Sequence, residues 1–103
     1  MFNIITRRTL LAYAKKYPLA ANALFEWYHE MVKSDFENFN SLKSVYSSAS
    51  LAGDDRIVFN IMGNKYRLVI RIAFEYKSIQ IKWFGTHKDY DIIDVSTIQF
   101  NIK

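Results

Sequence analysis

The chain contains no cysteine, so it has neither a disulfide framework nor thiolate chemistry, which suits a reducing compartment. Its histidines, His29 and His87, are far apart in sequence, which argues against a metal site. Proline occurs once and glycine three times, too seldom for a disordered or low-complexity chain. No apolar run approaches the ~18 residues that a membrane span requires. The opening, Met1 to Thr6, has no basic region followed by a long apolar stretch. It therefore reads as part of the fold rather than a signal peptide, and the cytoplasm is the expected location.

What is abundant is apolar and aromatic. Half of the 103 residues are apolar, with eight Phe, seven Tyr and two Trp. A chain of this length is expected to form one domain, 1–103, and a domain that small needs a rich core.

The net charge of +4 is modest, but its placement is informative. Residues 1–55 carry six basic and six acidic side chains, and residues 92–103 carry one of each. The whole excess lies in residues 56–91, with seven basic against three acidic. A basic excess confined to one segment suggests a surface for a polyanion.

Along the chain, Phe2 to Ile5 suits a short strand and Thr6 a helix N-cap. Leu10, Leu11, Ala14 and Tyr17 recur at helical spacing. Pro18 interrupts that helix and suits the first turn of a second, whose apolar face is Ala20, Leu24, Trp27, Tyr28 and Met31. Ser41 to Tyr46 reads as a further short helix, with Leu42 and Val45 toward the core. Residues 47–55 read as a loop. From Arg56 the apolar period changes from 3.6 to 2. Arg56 to Met62, Lys65 to Tyr76 and Ile79 to Gly85 read as three strands, with Gly63-Asn64 as a hairpin turn and Lys77-Ser78 as a weaker one.

The alternation sets a hairpin register. Ile61 is expected opposite Tyr66, Asn60 opposite Arg67, and Tyr76 opposite Ile79. One face then collects Ile57, Phe59, Ile61, Tyr66, Leu68, Ile70, Ile72, Phe74, Tyr76, Ile79, Ile81 and Trp83. The other collects Arg56, Asn60, Lys65, Arg67, Arg71, Gln80 and Lys82, with Val58, Val69 and Phe84 as its apolar members. Helices covering the apolar face give an α+β fold: N-terminal helices on one face of a small twisted antiparallel sheet.

The cations of the polar face repel one another, and phosphates or an acid-rich peptide would offset that. Arg clamps phosphate best, because its planar fork bonds two oxygens. A solvated outer sheet face is the plain alternative. Beyond the last strand, Thr86 and Asp89 are spaced as a capping box for a short helix. That helix carries His87, able to exchange a proton near neutral pH, and Tyr90, able to stack on a base or donate a hydrogen bond. Both can equally be packing residues. His29 has no assigned role.

Arg56-Ile57-Val58-Phe59-Asn60-Ile61-Met62-Gly63-Asn64-Lys65-Tyr66-Arg67-Leu68 resembles the central hairpin of HigB-type toxins. Trp83-Phe84-Gly85-Thr86-His87-Lys88-Asp89-Tyr90-Asp91, with Ile93-Asp94, resembles their closing segment, and Ile5-Thr6-Arg7 and Leu42 to Tyr46 also look like the family. Met62 departs from it, standing where the family often has a second Gly.

The resemblance implies a RelE-like toxin of a type II toxin–antitoxin system. Such a toxin is an mRNA interferase, an endoribonuclease that acts on message in translating ribosomes and so inhibits translation and growth. It implies neutralisation by a HigA-type antitoxin with a helix-turn-helix domain, so that DNA is touched only through the antitoxin; no cofactor and no membrane are involved. The reaction it suggests is metal-independent attack of the RNA 2′-hydroxyl on the adjacent phosphate, leaving a 2′,3′-cyclic phosphate and a 5′-hydroxyl. Arg67 and Lys82 are then candidates for the developing charge, His87 for acid or base, and Tyr90 for stacking or proton transfer. Lys65, Arg71 and Lys88 are candidates for phosphate binding, and Asn60 and Asn64 for orienting backbone or base. The rival readings are a non-catalytic RNA- or ribosome-binding module and a domain that docks an acidic protein partner.

Overall fold

The computed structural model describes residues 1–53 and 55–99. Five strands form one sheet: β1 (Asn3–Ile4), β2 (Ser50–Leu51), β3 (Arg56–Ile61), β4 (Tyr66–Ala73) and β5 (Ser78–Thr86). Their order across the sheet is β1-β5-β4-β3-β2. β3, β4 and β5 are antiparallel, as expected, and β2 pairs with β3 in the same sense; β1 joins β5 in parallel, with Asn3 opposite Ser78 and Ile4 opposite Ile79. Neither that pairing nor β2, which lies in the stretch read as loop, follows from alternation, since two-residue strands are too short to show a period.

The helices α1 (Arg7–Lys16), α2 (Ala21–Lys33) and α3 (Phe39–Val45) cover one face of the sheet. Pro18 begins a single 3-10 turn between the first two, where its missing N–H costs nothing. Leu10, Tyr13 and Ala14 of α1 and Leu24, Trp27 and Met31 of α2 are buried at helical spacing against Ile57, Phe59, Leu68, Ile70, Ile79 and Ile81. Burying each large aliphatic side chain stabilises the fold by about 1.5–3 kcal/mol. Leu11 and Val45, expected to face inward, point to solvent. Asn38 caps α3: its side chain accepts from Ser41 N–H, and Ser41 Oγ accepts from the Asn38 N–H.

Thr6 ends up in a different role from the expected cap. Its side chain makes no cap bond to α1. Instead Thr6 Oγ1 accepts the Ile81 N–H at 2.6 Å, which prolongs the contact of β1 with β5.

The β3–β4 register is the expected one, with Asn60 opposite Arg67 and Ile61 opposite Tyr66. The turn is shifted: positive φ falls on Met62 and Gly63, not on Asn64. The β4–β5 register differs by four positions, because the chain leaves the ladder after Ala73 and Ile72 lies opposite Ile79. A shift of four is even, so the residues that stay in the ladder keep their expected faces, whereas Tyr76, expected in the strand on the apolar face, lies beyond β4 and is exposed. A bulge then intervenes. Ile70 pairs with Ile81 and Val69 with Trp83, which leaves Lys82 unpaired. Beyond it the alternation is reset: Phe84 is buried in the core opposite Leu68, and Trp83 comes to the outer face. The expected faces of Trp83 and Phe84 are thereby exchanged.

Candidate functional site

The outer face of the sheet has an apolar floor, since Val58 and Val69 are buried there. Polar and charged side chains surround that floor in two groups. The first stands at the β3–β4 turn. Arg67 is centred on it: Nη2 donates to Asn64 Oδ1 at 2.7 Å, and Nη1 to the carbonyls of Asn64 and Tyr66 at 3.2 Å each. A guanidinium held by one amide side chain and two carbonyls has a fixed plane. The ring of Tyr90 lies beside it, with Arg67 Cζ 5.9 Å from the ring centroid.

Tyr90 belongs to the short helix α4 (His87–Tyr90), whose position is set at both ends. Thr86 Oγ1 accepts from Asp89 N–H, which is the capping bond anticipated from the sequence. The His87 N–H donates to the Lys65 carbonyl at 2.9 Å, tying the helix to the turn that carries Asn64 and Lys65. His87 Nδ1 is 3.8 Å from Asp91 Oδ2, one helical turn away, an ion-pair distance once the ring is protonated. The imidazole and the Lys88 side chain are open to solvent.

Behind Tyr90 stands Trp83, its ring centroid 6.2 Å away at a 49° tilt. The Trp83 indole lies over Gly85, which is opposite Arg67 in the ladder. Any side chain at that position would strike the indole.

The second group lies further down the same face. Arg56 and Arg71 are opposite each other across β3 and β4. Arg71 Nε donates to Asp55 Oδ2 at 2.6 Å. Arg56 is 7% exposed and donates from Nη1 to the carbonyls of Val95 and Ile98, so residues 95–98 cross the sheet here. Lys82, at the bulge, donates to Gln99 Oε1. Its partial burial first, and the charges of Arg56 and Arg71 second, lower its proton affinity below that of an ordinary lysine.

The sequence-derived residues therefore divide. Arg67, Asn64, Tyr90, Lys65, His87 and Lys88 gather around the turn, with Asn60 beside Arg67 in the ladder. Lys82 and Arg71 belong to the other group; four residues along β4 separate Arg71 from Arg67, about 13 Å. Trp83, Gly85, Arg56 and Asp91 were missed by sequence reasoning. Trp83 reaches this face only through the bulge at Lys82, which leaves no signal in the alternation. Among the described residues no cluster of His, Asp or Glu is arranged to hold a metal ion. No helix is long and apolar enough to cross a membrane.

Residues 20–93 match the HigB toxin family, described as the RelE-like toxic component of a toxin-antitoxin system. The chain belongs to the HigB toxin family. It is 34% identical over 91 residues to the mRNA interferase toxin HigB of Escherichia coli (strain K12), covering 86% of this chain and 88% of that protein. The mRNA interferases HigB of Escherichia coli O157:H7 and of Shigella flexneri are similar to the same extent. The two longest segments that resemble HigB toxins, Arg56–Leu68 and Trp83–Asp91, carry the side chains of the first group. As the toxic member of a toxin-antitoxin pair, a HigB toxin has an antitoxin for a partner.

Proposed function

We propose that this HigB family toxin is an mRNA interferase, a metal-independent endoribonuclease that cleaves message on translating ribosomes in the cytoplasm and is neutralised by a HigA-type antitoxin. The observation that carries the reading is the grouping at the β3–β4 turn. A guanidinium of fixed plane and an aromatic ring meet there through Asn64 and Tyr90, and the Lys65 carbonyl ties the backbone of His87 to the same turn. The curated relatives named mRNA interferase support the same substrate.

In this reading the 2′-hydroxyl attacks the neighbouring phosphorus and the 5′-oxygen leaves. Arg67 binds the non-bridging oxygens, where negative charge grows, and its fixed plane means that no reorganisation is required as the charge develops. His87 exchanges the proton at the attacking or leaving oxygen; Asp91 stands beside Nδ1, leaving Nε2 for the exchange. Tyr90 stacks on a base or transfers a proton, with Trp83 supporting its ring. Lys65 and Lys88 draw in adjacent phosphates, and Asn60 and Asn64 orient the strand. Lys82, a candidate for the developing charge on sequence grounds, stands with Arg71 instead, and both suit the RNA backbone away from the scissile bond.

The test is induced expression of the chain beside an Arg67→Ala His87→Ala variant, with growth followed and RNA ends mapped. Growth arrest with new 5′-hydroxyl ends in mRNA for the parent, and neither for the folded variant, is the expected result. Intact mRNA in both would leave the basic face as a docking surface and end the nuclease reading.

A further inference from the structure

At the other side of the hairpin, β3 has an open edge. β2 pairs only with Ile57 and Val58. The chain then turns away, the Ala49 N–H bonding to the Tyr46 carbonyl. The Ala52 N–H donates to Arg56 O, on the β2 side, and the Ile72 N–H to Asp55 O, on the β4 side. Backbone groups alternate in direction along a strand, so Arg56, Val58 and Asn60 all present theirs to the β2 side. Among the described residues nothing pairs with Asn60 there.

Beside this edge lies a cavity of about 190 Å³, between α2, Tyr46 and the end of β3 at Met62. Trp27 lines it. That side chain is 3% exposed, and its Nε1–H is buried without a hydrogen-bond partner among the described residues. Buried polar groups are nearly always paired, so this shielded donor, on a residue that lines the cavity, calls for an acceptor brought up against the indole. Glu26 and Glu30 stand on the helix wall of the same cavity, one turn apart. Glu30 accepts from the Tyr46 hydroxyl, and neither carboxylate has a cationic partner among the described residues.

We propose that this edge of β3 docks an extended, basic peptide segment of a partner protein. One ligand class then answers three separate features. A strand laid along β3 pairs with Asn60 N–H and C=O. A carbonyl of the partner accepts from Trp27 Nε1. A lysine or arginine of the segment sits between Glu26 and Glu30, its stem against Tyr46 and Phe59. RNA satisfies the orphan donor but meets two carboxylates, so a peptide is favoured over a nucleic acid. The antitoxin that family membership implies is the first natural partner to examine for such a segment. The proposal does not depend on the nuclease reading: of these residues only Asn60 appears in that reading, through its side chain, whereas a docked strand uses its backbone.

The probe is a short synthetic peptide alternating valine and lysine, with a valine–glutamate peptide and a short RNA as controls. Two signals of the isotopically labelled full chain report on it: the Trp27 indole N–H resonance, told from Trp83 by a Trp83→Phe variant, and hydrogen exchange at the Asn60 amide. With the basic peptide the indole resonance should move and exchange at Asn60 should slow roughly tenfold or more. Glu26→Gln Glu30→Gln, which keeps the acceptor for Tyr46, should weaken that binding by roughly fivefold or more. An unmoved Trp27 resonance with the basic peptide overturns the proposal. So does an equal response to the acidic peptide, or a response to RNA alone.

Discussion

A Cβ on Gly85 would stand 2.6 Å from two ring carbons of Trp83. The indole therefore rests on bare backbone, and through that contact the height of the Trp83 ring above the sheet is set. Tyr90 packs beside this ring, and Arg67 beside Tyr90. Gly85→Ala should push the indole outward into Tyr90. The expected cost is about 1–3 kcal/mol, as for other overpacking changes, together with a fall in RNA cleavage larger than the stability loss explains. Urea denaturation and a cleavage assay on the folded variant check this. Unchanged cleavage would show that the ring stack has no part in the chemistry.

Arg56 is a buried cation with two carbonyl acceptors in a segment that follows α4. Arg56→Ala removes both bonds and leaves the carbonyls without their donor. A loss of about 2 kcal/mol is expected, in the range for hydrogen bonds to charged groups. Residues 95–99 should also become cleavable by trypsin-free proteases such as subtilisin under native conditions. A variant with parental stability and an equally protected segment would mean that something else holds those residues.

The lowered proton affinity of Lys82 has a sign that can be tested. Burial and the neighbouring Arg56 and Arg71 disfavour the charged amine, so the folded chain binds fewer protons at this site than the unfolded chain. Charged Lys82 thus destabilises the fold, and stability rises as pH climbs through its folded value. RNA binding has the opposite need, because a phosphate calls for the ammonium. Lys82→Arg, which stays charged, should keep its RNA affinity at alkaline pH where the parent has begun to lose it. Binding curves across the alkaline range decide this; superimposable curves would remove Lys82 from the RNA surface.

Much of the sheet was legible because period 2 is insensitive to even errors. The expected β4–β5 register was displaced by four positions, yet Arg67 and Arg71 still fell on the outer face. The bulge at Lys82 was not legible, since one extra residue changes no composition and no local propensity. It alone moved Trp83 to the outer face and Phe84 to the core. The grouping of Arg67, Asn64, His87 and Tyr90 was anticipated as a list, but its division from Lys82 and Arg71 depends on tertiary pairing. The long-range contacts of β1 and β2 lay beyond reach for the same reason. The alternating Ile98, Phe100 and Ile102 suit a final edge strand or a partner-facing segment; Ile98 follows a turn begun at Asp94. Phe100 and Ile102 lie outside the described residues.

The parallel pairing of β1 with β5 also has a consequence for folding. Thr6 and Ile81, which prolong that pairing, are 75 positions apart. Contacts of such sequence separation form late and slowly. The helices α1 to α3 and the β3–β4 hairpin are local and can form first, but β1 has no ladder partner until β5 has closed on β4. The strand that comes first in the chain is therefore the last to be fixed in the sheet.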